Sequence, residues 1–236
     1  MAFTTKKDYF AIPLGDTVAS KLAITSSDEN KSASTAQAID EKGDIVAEEK
    51  LGETTSPSCS YVLKDDVEFG GITTGKSFDV DGKKVSIGRI SISTNAGQAP
   101  TITITGEELP ADAATHQDCY YTLPTCTVKK CFHAQGDVLG EAFTMTGDGC
   151  YLTSATYDIG GDIVRSTKDG ETVAYDIANG QMSISLTIQG TNDNRPEITP
   201  GVGWTITSPV TKSHGDASYP TYTASLTHPL RHTVQG

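Results

Sequence analysis

The stretch Ile90-Ser-Ile-Ser-Thr-Asn-Ala-Gly-Gln-Ala-Pro100-Thr-Ile-Thr-Ile-Thr-Gly106 decides the fold class. Two alternating runs flank a segment that holds Gly97 and Pro100. An apolar residue at every second position puts the apolar side chains on one face of a strand, and β-branched residues suit the pleat. The intervening Ser and Thr keep their hydroxyls in water. The pattern predicts an antiparallel hairpin with one buried face. A related unit occurs near the end of the chain: Trp204-Thr-Ile-Thr-Ser-Pro209, then Lys212-Ser-His-Gly215-Asp-Ala-Ser-Tyr-Pro220-Thr-Tyr-Thr-Ala-Ser225-Leu226. Both units pass through a Gly-containing turn and leave through Pro-Thr-x-Thr. Repeated hairpins without a catalytic constellation point to a structural or assembly protein and away from an enzyme.

Similar runs fill most of the chain. Ser58-Cys-Ser-Tyr-Val-Leu63 alternates, and Asp81-Gly82 is a tight-turn signal between Ser77–Val80 and Lys84–Ile87. Pro110 to His116 has helix-start chemistry and predicts one short helix. These segments form a predicted first β-sandwich unit, residues 56–136. Cys150–Tyr157, Thr172–Tyr175 and Met182–Ile188 alternate, Asp169-Gly170 marks a hairpin, and Trp204 is a core candidate; together they form a predicted second β unit, residues 137–236. The expected fold is all-β and mainly antiparallel, with β-sandwich or barrel units, one short helix and an extended N-terminal arm. That arm, residues 1–55, is rich in Lys, Glu, Asp, Ser and Ala and reads as an extended segment with a strand or hairpin, for which Asp44–Ala47 is a candidate strand. Its apolar patches make Tyr9, Phe10, Ile12 and Leu14 candidate inter-subunit anchors. Disorder is the alternative on composition.

The 236 residues carry a net charge of −12. Such a chain lacks the Lys/Arg excess that tight, sequence-independent DNA binding requires. An acidic wall instead repels phosphate and leaves a channel non-sticky. No stretch approaches the 18 or so apolar residues of a membrane-spanning helix, so no membrane partner is expected. The first residues lack the apolar core of a secretory signal, so folding in a cytoplasmic compartment is expected, with the five cysteines reduced.

His116, Cys119, Cys126, Cys131 and His133 lie close in sequence, and zinc accepts such ligands. Their spacing lacks a second close cysteine pair, so the preferred reading is free thiols acting as small hydrophobes, with no metal. Asp79-Val-Asp81-Gly82 has the first acids of a calcium loop but neither the third acid nor the terminal Glu, and reads as a solvated turn. No G-x-S-x-G, Walker-type loop or dinucleotide fingerprint is present, so no cofactor is expected. The uncharged run Thr101–Thr105 is an aggregation hazard as a free edge, which predicts closure by self-association.

The pattern Val85-x-Ile87-x-x-Ile90-Ser-Ile-Ser-Thr94-Asn95, continued by Pro100-Thr-Ile-Thr-Ile-Thr-Gly-Glu107 and the late Tyr219-Pro-Thr-Tyr-Thr223, resembles the tail-tube (major tail) proteins of tailed bacteriophages. The likeness covers residues 58–109 and 140–230. It implies a β-sandwich with a flanking helix and rings, commonly hexameric, that stack into a tube. The inner strands would form a continuous channel, and an arm or long loop would reach the next ring. The implied place is the virion, assembled in the host cytoplasm. The implied partners are further copies and other virion tail proteins, with double-stranded DNA passing through without tight binding. The acidic composition adds an expectation that hairpin turns line the lumen, with Asp65, Asp66, Glu68, Asp79 and Asp81 as candidates. Two β units depart from a single-sandwich tube protein. A head decoration protein or a tail or baseplate accessory protein is the main alternative. A carbohydrate-binding module would require an exposed aromatic platform.

Overall fold

The computed structural model describes residues 7–69, 73–75, 77–109, 114–115, 120–122, 126–128, 142–168, 171–191, 193–213 and 219–233. Two short helices, α1 (Ala11–Leu14) and α2 (Asp16–Ser20), open the chain. The strands are β1 (Leu22–Ile39), β2 (Ile45–Leu63), β3 (Val67–Phe69), β4 (Thr73–Thr74), β5 (Ser77–Val80), β6 (Lys83–Asn95), β7 (Thr101–Leu109), β8 (Ala114–Thr115) and β9 (Tyr120–Thr122). They continue with β10 (Cys126–Val128), β11 (Phe143–Thr146), β12 (Cys150–Lys168), β13 (Glu171–Gly190), β14 (Glu197–Pro200), β15 (Thr205–Ser213), β16 (Thr221–Pro229) and β17 (His232–Thr233).

The fold is mostly antiparallel β, as the alternation predicts. The main sheet runs β1-β2-β7-β6-β12-β13-β16-β15, with β5 added on β6 and β8 added in parallel on β13. The Ile90–Gly106 hairpin is present as β6–β7, with Ile92 opposite Ile102 and Ile90 opposite Ile104. Small ladders β3–β10, β11–β14 and β4–β9–β17 complete the described strands.

One face of the main sheet holds the core. Tyr61, Ile102, Ile92, Tyr157, Ile184 and Leu226 follow one another across neighbouring strands, each no more than 1% exposed. Each such side chain contributes roughly 1.5–3 kcal/mol by leaving water. The layer over them includes Phe10 and Leu14, Val67 and Val128 of the β3–β10 ladder, and Phe143 and Ile198 of the β11–β14 ladder. Gly106 is required where this layer comes closest: a Cβ there would lie 2.3 Å from the Ser86 carbonyl oxygen and 3.1 Å from the Phe10 ring.

The two predicted β units belong to one sheet. Boundary 55/56 falls inside β2, and β6 pairs with β12 across boundary 136/137. The physical reason is that both halves present alternating apolar faces with open edges, and pairing those edges joins both faces into one core. Helical structure lies at residues 11–20, ahead of β1. In the segment predicted as a helix, Ala114–Thr115 pairs with Ala174–Tyr175 as a strand, and residues 110–113 and 116 lie outside the described residues.

A corner forms where β12 carries a bulge between Gly160 and Asp162. Gly160 has φ +139, and a Cβ on it would lie 2.1 Å from the Gly88 carbonyl oxygen. Beyond the bulge β12 and β13 leave β6 and run on as a pair. Arg165 of this extension donates from Nε to Glu107 Oε2 at 3.1 Å and from Nη1 to Thr54 Oγ1 at 2.6 Å. Bulges and glycines commonly let strands turn in this way.

Candidate assembly surfaces

The sheet face opposite the core is paved with hydroxyls. Ser60, Thr103, Ser91, Asp158, Ser183, Thr227 and Thr205 form one row across successive strands from β2 to β15. The next row is Val62, Thr101, Ser93, Thr156, Ser185, Ser225 and Ser208. Most of these side chains are half-buried by their neighbours. Ser60 and Thr103 share a hydrogen bond of 3.1 Å. A hydroxyl both donates and accepts, so such a surface exchanges readily with water. Asp158 is the one ionisable group in the two rows. These two rows therefore offer neither a cationic track for phosphate nor a dense anionic wall; in the next row Asp28, Ser58, Thr105 and Arg89 stand in line, and Arg89 pairs with Asp162 at 3.3 Å.

The second surface is a ribbon. β7 pairs with β2 from Val62 to Ser58; outward from there β1 and β2 continue as a two-stranded ladder to Ile39 opposite Ile45. Asp40 Oδ1 closes its turn by accepting from the backbone N–H of Lys42 and of Asp44, both at 2.9 Å. From Asn30 to the tip the ribbon extends about 30 Å at the usual strand rise. Near its tip Ile39, Ile45 and Val46 are 62%, 55% and 62% exposed. A two-stranded ladder alone is marginal in water. The tip is thus an exposed apolar cluster on an otherwise polar ribbon.

The predicted inter-subunit anchors lie elsewhere. Tyr9, Phe10 and Leu14 are buried within this chain, while Ile12 is exposed. The segment is strapped down by hydrogen bonds: Asp8 accepts from the Tyr61 hydroxyl, the Lys7 carbonyl accepts from Ser27, and the Tyr9 hydroxyl donates to Glu29 at 3.2 Å. Burial, and then the Asp8 contact, push the Tyr61 phenol far above its usual range. The apolar side chains of this segment are used to cover the chain's own sheet, which leaves Ile12 alone of the four facing water. Among the described residues of 1–55, the ribbon rather than the strap extends beyond the sheet body.

The candidate lumen acids are exposed but scattered. Asp65 and Asp66 follow β2, Glu68 is on β3, and Asp79 is on β5. Asp81 sits in the β5–β6 turn and pairs with Lys7 at 3.2 Å. None of the five belongs to the hydroxyl rows. Asp158, which does, was missed by sequence reading. Its place between Tyr157 and Ile159 in an alternating run signals the solvent face once the strand is recognised.

Among the described residues, no cluster of three His, Cys, Asp or Glu side chains is placed to hold a metal. His116, Cys119, Cys131 and His133 lie outside the described residues, and Cys126 falls in β10. Cys59 and Cys150 are free, buried thiols. Burial, and then the charge of Asp148, raise the Cys150 pKa, so this thiol stays protonated. For the aromatic platform that a carbohydrate-binding module would require, Tyr121 and Tyr222 are buried, Tyr120 is half-buried and Tyr219 is exposed. No family model and no curated protein matches the chain.

Proposed function

We propose that the chain is a virion structural protein, a tail-tube subunit that polymerises into stacked rings around a DNA-conducting channel. The observation that carries this reading is the division of the main sheet into a covered apolar face and an opposite face whose two central rows are hydroxyls with a single carboxylate. A wall of water-exchanging hydroxyls suits the passage of a polyanion, because it supplies no counterion-releasing contacts that would hold it. On this reading the lumen is lined by Ser, Thr and Asp158 rather than by acidic hairpin turns. The ribbon supports stacking, because its apolar tip projects beyond the sheet body toward a neighbouring ring.

Negative-stain microscopy of the purified protein at rising concentration tests the proposal. Rings or hollow tubes with a central pore are expected. A stable monomer or compact trimer at every concentration would overturn it in favour of a head decoration or tail accessory role, which capsid binding would then test.

A further inference from the structure

We propose that copies of this chain join edge to edge through apolar side chains at the two ends of the core layer, and not through a continued backbone ladder. Trp204, Ile206, Val210 and Leu230 of one copy would meet Val18 and Ile24 of the next. This inference rests on the self-assembly reading above and names its contact.

Strand parity permits the arrangement. The eight strands from β1 to β15 alternate in direction, so the two edge strands run antiparallel. A second copy can therefore stand beside the first in the same orientation, with its β1 next to β15. Such a contact is heterologous and repeats around a ring.

Backbone chemistry disfavours strand addition at β15. Pro209 has no N–H to donate, and the ladder with β16 shifts register between Ile206 and Ser208 and again between Ser208 and Thr211. Arg195 donates to the Val210 carbonyl, and Lys212 pairs with Asp193 at 2.7 Å, so residues 193–195 lie along the strand. Prolines, bulges and covering segments are the devices that close a sheet edge to pairing.

The side chains at the same edge tell the opposite story. Trp204, Ile206, Val210 and Leu230 are only half-buried against the core. Trp204 packs edge-on to His228 at 5.5 Å, and Val202 beside it is fully exposed. At the other end of the layer, Val18 of α2 and Ile24 of β1 are also half-buried against the core. An edge that blocks hydrogen bonding while leaving a Trp-centred apolar strip in reach selects side-chain contact. Tryptophan in such a strip is a common energetic centre of an interface.

The test uses Val202→Glu and Trp204→Ala on the β15 side, Val18→Glu on the β1 side, and the full-length chain throughout. Val202 is fully exposed, so its variant keeps the fold even where Trp204→Ala does not; far-ultraviolet dichroism and thermal melts verify each. Analytical ultracentrifugation across a concentration series reads assembly. Trp204→Ala should raise the critical concentration at least ~10-fold. Val202→Glu and Val18→Glu should each stay small, and a mixture of the two should stop at dimers through the one intact pair of edges. Folded variants that polymerise at the wild-type concentration, or a mixture that forms long polymers, would overturn the contact while leaving self-assembly standing. A wild-type chain that stays monomeric throughout would overturn both.

Discussion

Replacing Phe10 by alanine distinguishes a strap that belongs to this subunit's core from an arm that docks on a neighbour. Phe10 is 0% exposed. Its ring meets Phe78 edge-to-face at a centroid distance of 6.2 Å and an interplanar angle of 66°. The ring also lies over Gly106, where no side chain competes for the space. Truncating a buried phenylalanine costs about 3–5 kcal/mol in transfer and cavity terms. The edge-to-face pair supplies about 0.5–1.5 kcal/mol of that. For a chain of this size each kcal/mol moves the midpoint by about 2–4 °C, so Phe10→Ala should lower it by about 6–20 °C. The assay is thermal and urea unfolding followed by dichroism, at concentrations where the chain is dispersed. A double-mutant cycle with Phe78→Ala should return a coupling of about 0.5–1.5 kcal/mol. A Phe10→Ala protein with an unchanged midpoint and lost assembly would refute the reasoning and restore the docking-arm reading.

Three further outcomes are expected. Joining Asn30 to Ser56 through an Asn-Gly turn removes most of the ribbon and the Arg165–Thr54 hydrogen bond, whose loss costs about 1.5–3 kcal/mol; the chain should stay folded by dichroism while microscopy shows isolated rings, and normal tubes would count against stacking by the ribbon. Because burial and Asp8 raise the Tyr61 pKa in the folded state, the proton is held more tightly there than in the unfolded chain. Stability from this group is therefore complete below about pH 10 and declines above it, by up to about 1.4 kcal/mol per pH unit; urea titrations should show that fall, and Tyr61→Phe should flatten it. Asp158→Lys should give assembled protein salt-sensitive retention of double-stranded DNA, whereas wild type shows none; identical behaviour of the two would argue against a channel role for the hydroxyl face.

The β6–β7 hairpin was legible because Ile alternates with Ser and Thr over both runs, and that period admits one burial pattern. The same reasoning located β12, β13 and β16. It failed on β1. Ser26 to Ala38 shows no apolar alternation, since both faces of the ribbon meet water, and so the stretch reads as polar arm rather than strand. Reading Tyr9, Phe10 and Leu14 as anchors for a neighbour followed correctly from apolar residues in a polar segment. Composition does not say whose core such residues enter. Likewise, acidic turns were visible as charges, but their distance from the hydroxyl rows depends on strand order.

The period-two alternation, and with it the mainly antiparallel β class, is readable from the chain alone, because each strand's two faces are written in adjacent residues. So are the acidic balance and the uncharged character of the Thr/Ser positions. Which strands are neighbours emerges in the folded molecule alone. Pairing β6 with β12 merged two predicted units into one sheet and brought Ser60, Thr103, Ser91, Asp158 and Ser183 into a single row. That row depends on register between segments far apart in the chain. Register follows from burying all the apolar faces in one layer at once, a condition that no local stretch contains.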